Sequence, residues 1–230
     1  MSGVGERVRE NYGKVLDTIG KACKRRGRDP SEVKVVAVTK SVTAEVVDLL
    51  AEVGIVEIGE NRVQDALKKR EDVRGNFTWH MIGHLQSNKA ARAAGLFSWI
   101  HSVENVELAK KLQECALREG KGLSVFVQVN VGGEEQKQGV RSEAEASALV
   151  GRVRAECPNL SLRGLMTMAP LSSDPERSRP VFRSLREMGE RLGLMEYSMG
   201  MSQDYAVAVE EGATTLRIGT ALFEGIRDDG

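Results

Sequence analysis

The chain has 230 residues, and its 33 Lys plus Arg are balanced by 33 Asp plus Glu, giving a formal net charge of zero at pH 7. That balance implies no broad basic face for nucleic acid or anionic lipid. No run nears the roughly 20 apolar residues that cross a bilayer, and Met1–Arg7 lacks the apolar stretch of a secretion signal, so a globular cytoplasmic protein is expected. The three cysteines, Cys23, Cys115 and Cys157, lack the close spacing of a metal site or disulfide framework and read as buried thiols.

In chain order, the residues before about 33 predict a helix with apolar positions Val8, Tyr12, Val15, Leu16 and Ile19, packed on the outside of the fold. Strand-like runs then recur at 34–40, 54–59, 77–83, 97–103, 124–131, 162–168, 196–200 and 214–219, and most intervals carry an amphipathic stretch of helix length. Thr43 is placed to cap the first of these helices, and Glu104-Asn105 and Ser142 open later ones. Eight strand/helix alternations without a linker predict an α/β fold, a single (β/α)₈ TIM barrel. Its bounds are an outer helix in 1–33, the barrel in 34–220 and a tail in 221–230, all one domain.

Lys40 closes the apolar run Val35-Val36-Ala37-Val38-Thr39-Lys40. It reads either as a lysine marking the strand's exit into solvent, or as an amine desolvated beside a hydrophobic strand end and so free to form a Schiff base with an aldehyde, which points to pyridoxal 5'-phosphate (PLP). The far end of the chain favours the second reading. Tyr197-Ser198-Met199-Gly200-Met201-Ser202 and Thr215-Leu216-Arg217-Ile218-Gly219-Thr220 each run from a strand into a glycine- and hydroxyl-rich turn suited to an anion. Loops after the seventh and eighth strands are where such barrels hold phosphate. Strand parity turns Arg217 into the barrel, either beside a pyridine nitrogen, which it would keep unprotonated, or in an ion pair with a carboxylate such as Glu60. At the same end, Asn61 is placed for the ring edge or its 3-hydroxyl and His84 as a proton carrier or a cap. Lys89 reads as a rim amine or a solvated helix lysine. Asn130 ends strand five. Met166 and Met168 read as core or as floor of the cofactor pocket.

Together Val38-Thr39-Lys40, Gly59-Glu60-Asn61, Trp79-His80-x-Ile82-Gly83-His84-Leu85-Gln86-x-Asn88-Lys89, Lys137-x-Gly139, Arg163-Gly164-Leu165-Met166-x-Met168, Ser198-Met199-Gly200-Met201-Ser202-x-Asp204 and Arg217-Ile218-Gly219-Thr220 resemble the YggS/PROSC family of pyridoxal phosphate homeostasis proteins, across nearly the whole chain and in order. The resemblance implies a barrel of the alanine-racemase N-terminal-domain type (PLP fold type III). It also implies a Schiff base on Lys40, phosphate near Ser202, Gly219 and Thr220, and Arg217 at the pyridine nitrogen. Phe223-Glu224-Gly225-Ile226-Arg227 carries one residue more than the usual family ending, so the tail is given no role.

The function expected is binding of PLP for its intracellular homeostasis, as carrier, buffer or regulator, without turnover. The set of residues expected to hold the cofactor is Lys40, Asn61, His84, Met166, Ser198, Gly200, Ser202, Arg217, Gly219 and Thr220, with no metal. PLP-dependent apoenzymes are the candidate recipients, and a monomer is expected. A racemase of this barrel type uses a second proton carrier from an added β domain, and none of Tyr12, Tyr197 and Tyr205 sits on one. The alternatives are a slow PLP-dependent racemase or lyase working with Lys40 and solvent, and a cofactor-free aldolase in which Lys40 bonds a sugar phosphate directly.

Overall fold

The computed structural model describes residues 3–133 and 138–226. Its strands are β1 (Lys34–Val38), β2 (Glu57–Glu60), β3 (Thr78–Met81), β4 (Trp99–Val103), β5 (Leu123–Gln128), β6 (Leu160–Met166), β7 (Glu196–Ser198) and β8 (Thr215–Ile218). They pair in parallel in sequence order, and β8 closes onto β1 in the register Val36 to Arg217. After an opening helix α1 (Gly3–Arg26), each strand leads to one helix: α2 (Ala44–Glu52), α3 (Val63–Asp72), α4 (Ala90–Leu96), α5 (Val106–Arg118), α6 (Glu143–Glu156), α7 (Arg179–Arg191), α8 (Tyr205–Glu210) and α9 (Thr220–Phe223). The chain is a closed TIM barrel.

Parity divides the strands into two cores. Outward residues such as Ala37, Ile58, Ile100, Val125, Leu165, Leu216 and Ile218 pack with helix residues Val47, Leu50, Leu112, Phe182 and Leu185. Each of these side chains larger than alanine contributes roughly 1.5–3 kcal/mol by leaving water. The residues alternating with them fill the barrel, and several of these are polar and buried: His80, His101, Ser198 and Arg217.

The strands are shorter than their apolar runs suggest. β1 stops at Val38 and β7 at Ser198 because the residues beyond them turn away to form the mouth. The second run starts late, at Glu57, because Gly54 (φ 85°) ends the turn after α2 in a left-handed conformation. Asn105 and Ser142 cap α5 and α6 through their side chains, accepting from the amides of Leu108 and Glu145. Thr43 stands at the start of α2 without a side-chain cap bond.

Helix α1 packs outside the barrel on α2, α8 and α9. Its buried stripe is Val8, Asn11, Val15, Ile19, Ala22 and Cys23. Leu16, expected on that stripe, is 46 % exposed. One residue advances a helix by about 100°, so Leu16 turns to solvent beside Val15, and the stripe accepts Asn11 because its amide donates to the carbonyls of Leu222 and Glu224, both at 3.0 Å. The three cysteines are free and buried. Among the described residues no helix is long and apolar enough to cross a membrane.

Candidate functional site

The C-terminal ends of the strands open into a cavity of about 490 Å³, within the usual size of small-molecule sites. On one side stands Lys40, one residue past Thr39, whose polar groups are all tied down. The Thr39 amide donates to Gly59 O (3.0 Å), its hydroxyl to Glu60 Oε1 (2.7 Å), and its carbonyl accepts from Lys69 Nζ, which also binds Glu60 Oε1 at 2.6 Å. Glu60 is 1 % exposed and its Oε2 has no partner among the described residues. The backbone under Lys40 is therefore fixed, while its side chain reaches the cavity without a hydrogen bond or ion pair to another described residue.

That side chain is exposed, which corrects the expectation of an amine desolvated by the strand. The chain leaves the barrel wall at Thr39 and lifts Lys40 into the open mouth. Glu60 also faces outward to α3, so the alternative of an Arg217–Glu60 pair falls.

Arg217 lies at the cavity floor, 3 % exposed, as parity predicts. Its guanidinium donates to Ser198 Oγ (2.6 Å) and to the Thr167 carbonyl (2.9 Å). Burial pushes its pKa down to about 10, Asp204 opposing, which leaves it a cation at neutral pH.

Opposite, the turns after β7 and β8 meet. The amides of Gly219 and Ala221 converge on Ser202 Oγ at 3.3 and 3.1 Å, so the start of α9 presents paired N–H donors to a single oxygen. Asp204 braces the first turn, accepting from the Met201 amide (2.7 Å) and the Ser178 hydroxyl (2.9 Å). Gly200 is held at φ 94°, and a Cβ there would lie 2.5 Å from Ala208 Cβ, so only glycine brings the turn this close to α8. Gly83 has a similar task, since a Cβ on it would meet the Asn61 carbonyl at 2.3 Å.

Of the ten residues expected at a cofactor site, Lys40, Asn61, His84, Ser202, Arg217, Gly219 and Thr220 share this cavity wall. The other three do not reach it. Met166 is fully buried in β6, Ser198 lies beneath Arg217, and Gly200 shapes the turn from behind. Met168 reaches the wall. Lys89 and Asn130 are off it. His84 sits at the rim with its Nδ1 3.4 Å from Glu104 Oε1, while Glu104 Oε2 accepts the Gly139 amide. Lys137 and Arg227 lie outside the described residues.

Sequence reasoning passed over Lys69 and the barrel-interior residues Glu57 and His101, and quoted His80 and Asp204 only within the motifs, without a role. His80 Nε2 is 2.7 Å from Glu57 Oε2, its Nδ1 is 2.9 Å from His101 Nε2, and His101 Nδ1 is 2.8 Å from Ser198 Oγ. Burial lowers both imidazole pKa values, that of His101 far below the ordinary range. For Glu57 burial works upward, but His80 and Lys34 outweigh it and hold the carboxyl low. The histidines could have been found by the parity that placed Arg217, since His80 and His101 alternate with the outward Met81 and Ile100.

A parallel eight-strand barrel with an amine after its first strand and paired oxygen-binding turns after its last two defines a class. Residues 20–226 match the family model described as alanine racemase, N-terminal domain. An alanine racemase of Clostridium difficile 630 shares the fold, with a TM-score of 0.70 at 14 % identity over 97 % of this chain and 58 % of that one. A pyridoxal phosphate homeostasis protein of Aquifex aeolicus is 42 % identical over 93 % of this chain and 96 % of its own length. The structure of PipY of Synechococcus elongatus with PLP bound superposes with a TM-score of 0.78 at 33 % identity, covering 90 % of this chain and 99 % of that one. Within the alanine racemase N-terminal-domain class, the chain belongs to the family of pyridoxal phosphate homeostasis proteins.

Proposed function

We propose that this chain binds PLP in the mouth cavity and serves its homeostasis as a carrier or buffer, without catalytic turnover. The observation that carries the reading is a solvent-reachable amine, Lys40, sharing one cavity with the buried cation Arg217 and the paired amides at Ser202. The fit rests on those amides, which already converge on an oxygen as a phosphate requires, and on a volume suited to a molecule of this size.

When bound, PLP supplies an aldehyde that condenses reversibly with primary amines. Lys40 offers the amine and, being exposed, leaves it accessible to water and to competing amines, which suits release as much as retention. Ser202, Gly219 and Thr220 hold the phosphate, with Gly200 shaping their turn from behind and Ser198 supporting Arg217 from below. Arg217 takes the pyridine nitrogen, where a fixed cation disfavours its protonation. Asn61 serves the ring edge, Met166 lies under the floor, and His84 stands at the rim.

Two-base proton transfer finds little support among the described residues. The Tyr197 hydroxyl is spent on the Leu194 and Arg186 carbonyls outside the barrel, and neither Tyr12 nor Tyr205 lies on the cavity wall. Both oxygens of Asp204 are already engaged. The molecule acts in the cytoplasm as a monomer of one domain spanning 1–230, with PLP-dependent apoenzymes as recipients.

Borohydride reduction of the yellow loaded protein should fix a pyridoxyl mass on the peptide containing Lys40. Lys40→Ala should lose both colour and adduct, with stability unchanged within about 0.5 kcal/mol, as for exposed sites. A colourless protein that instead traps a sugar phosphate would establish the aldolase. Chiral analysis after incubation with amino acids, if it showed interconversion dependent on Lys40, would establish a racemase.

A further inference from the structure

Beneath the cavity, side chains from five strands form one unbroken hydrogen-bonded chain: Arg217 (β8), Ser198 (β7), His101 (β4), His80 (β3) and Glu57 (β2). It runs from the floor of the mouth to the opposite end of the barrel, where Glu57 and Lys34 open their strands 3.4 Å apart, with side chains 21 % and 34 % exposed. The two rings are locked. His80 stacks on Trp99 with centroids 5.4 Å apart, and His101 packs on Phe126 at 4.8 Å.

The direction of every bond follows from the inventory of donors and acceptors. A guanidinium only donates, so Ser198 Oγ accepts from Arg217 and its own hydrogen needs an acceptor. His101 Nδ1 is the one in reach among the described residues. His101 therefore carries its proton on Nε2 and donates it to His80 Nδ1. That leaves the His80 proton on Nε2, donated to the Glu57 carboxylate. With both rings neutral and Glu57 ionised, Ser198, His101 and His80 each give one hydrogen and receive one, and none of their hydrogens is left over.

We propose that Glu57, His80, His101 and Ser198 are positioning residues for Arg217, a one-way chain that fixes the guanidinium on the cavity floor, where it would meet the pyridine nitrogen, and links its setting to the protonation of the Glu57–His80 pair at the far end of the barrel. This rests on the reading that PLP occupies the cavity. If the Glu57–His80 pair takes up one proton from solvent, His80 becomes a donor at both nitrogens and His101 must accept at Nε2 and carry its hydrogen on Nδ1. Ser198 then receives from two sides, its own hydrogen without a partner next to a cation. The charged groups around the chain are Lys34 from β1, which sits 4.4 Å over the Trp99 ring, the Arg163–Glu196 pair from β6 and β7, and Asp204 from the turn above. The lowered pKa values of both histidines agree with a neutral resting chain.

The chain has three histidines in all, so nitrogen-15 NMR of the cofactor-free protein reads their tautomers directly. Both His80 and His101 should show a protonated Nε2 and a bare Nδ1 at pH 7. An Nδ1-protonated or doubly protonated ring at either position overturns the chain, whether or not PLP binds. With the loaded protein, His101→Phe and the shape-preserving Glu57→Gln should weaken PLP retention about tenfold, the loss expected for a charge-assisted bond. They should also move the pH midpoint of the visible band, while borohydride still marks Lys40. Unchanged affinity and midpoint in a folded Glu57→Gln would refute the positioning role. Failure of the unaltered protein to bind PLP would refute the reading of the cavity, and the NMR result would stand apart from it.

Discussion

Lys69→Met tests how the backbone beneath Lys40 is held. Lys69 is 12 % exposed and Glu60 1 %, and Lys69 Nζ is 2.6 Å from the carboxylate and also bonded to the Thr39 carbonyl. Removing one partner of a buried pair leaves an uncompensated charge, at a cost of about 3–5 kcal/mol. The slight exposure of Lys69 places this case near the lower figure, about 3 kcal/mol. In a chain of this length each kcal/mol is worth roughly 2–4 °C, so the midpoint of thermal unfolding should fall by about 6–12 °C. The double variant Glu60→Gln with Lys69→Met removes the stranded charge and should recover more than about 1 kcal/mol of that loss, a coupling readable in a double-mutant cycle. Calorimetry on the four proteins gives both quantities. A midpoint within 2 °C of the parent for Lys69→Met, or strictly additive losses, would refute the view that this pair anchors Thr39.

Gly200→Ala should cost about 2–4 kcal/mol, from a side chain at φ 94° and a Cβ 2.5 Å from Ala208. It should also weaken PLP retention through the displaced Ser202 turn, and equilibrium dialysis of the folded variant decides. Acid should destabilise the native protein earlier than exposed carboxylates alone would. His80 and His101 have depressed pKa values when folded, so their contribution is complete above the unfolded value of about 6.5 and is lost as pH falls below it. Glu57, also depressed, holds its contribution until the pH drops below about 4.3 and through its lowered value. The unfolding midpoint should therefore decline from pH 7 to 5, less steeply in His101→Phe, and a flat profile in the parent would count against buried neutral rings.

The alternation of apolar runs was enough to read the barrel, because eight parallel strands buried on both faces leave a mark that survives imprecise ends. Parity alone placed Arg217, since its neighbours Leu216 and Ile218 could only face the helices. Lys40 was found for a partly mistaken reason. Its position after β1 was legible, but its solvation depends on where the chain leaves the wall, which a run of apolar letters does not record. Lys69 carried no local signal, because its link to Glu60 is made by a helix folding back on a strand. Met166 and Met168 share a parity, yet β6 ends between them, and only the residue beyond the last ladder bond reaches the cavity.

The amide of Asn11 grips carbonyls 211 and 213 positions further on. Helix α1 finds one partner, α2, close by in sequence, but α8 and α9 follow only after seven strands, so the part of its apolar stripe that they cover stays bare until the barrel is nearly assembled. Closure of β8 onto β1 likewise joins segments far apart in sequence, and such non-local pairing is intrinsically slow to form.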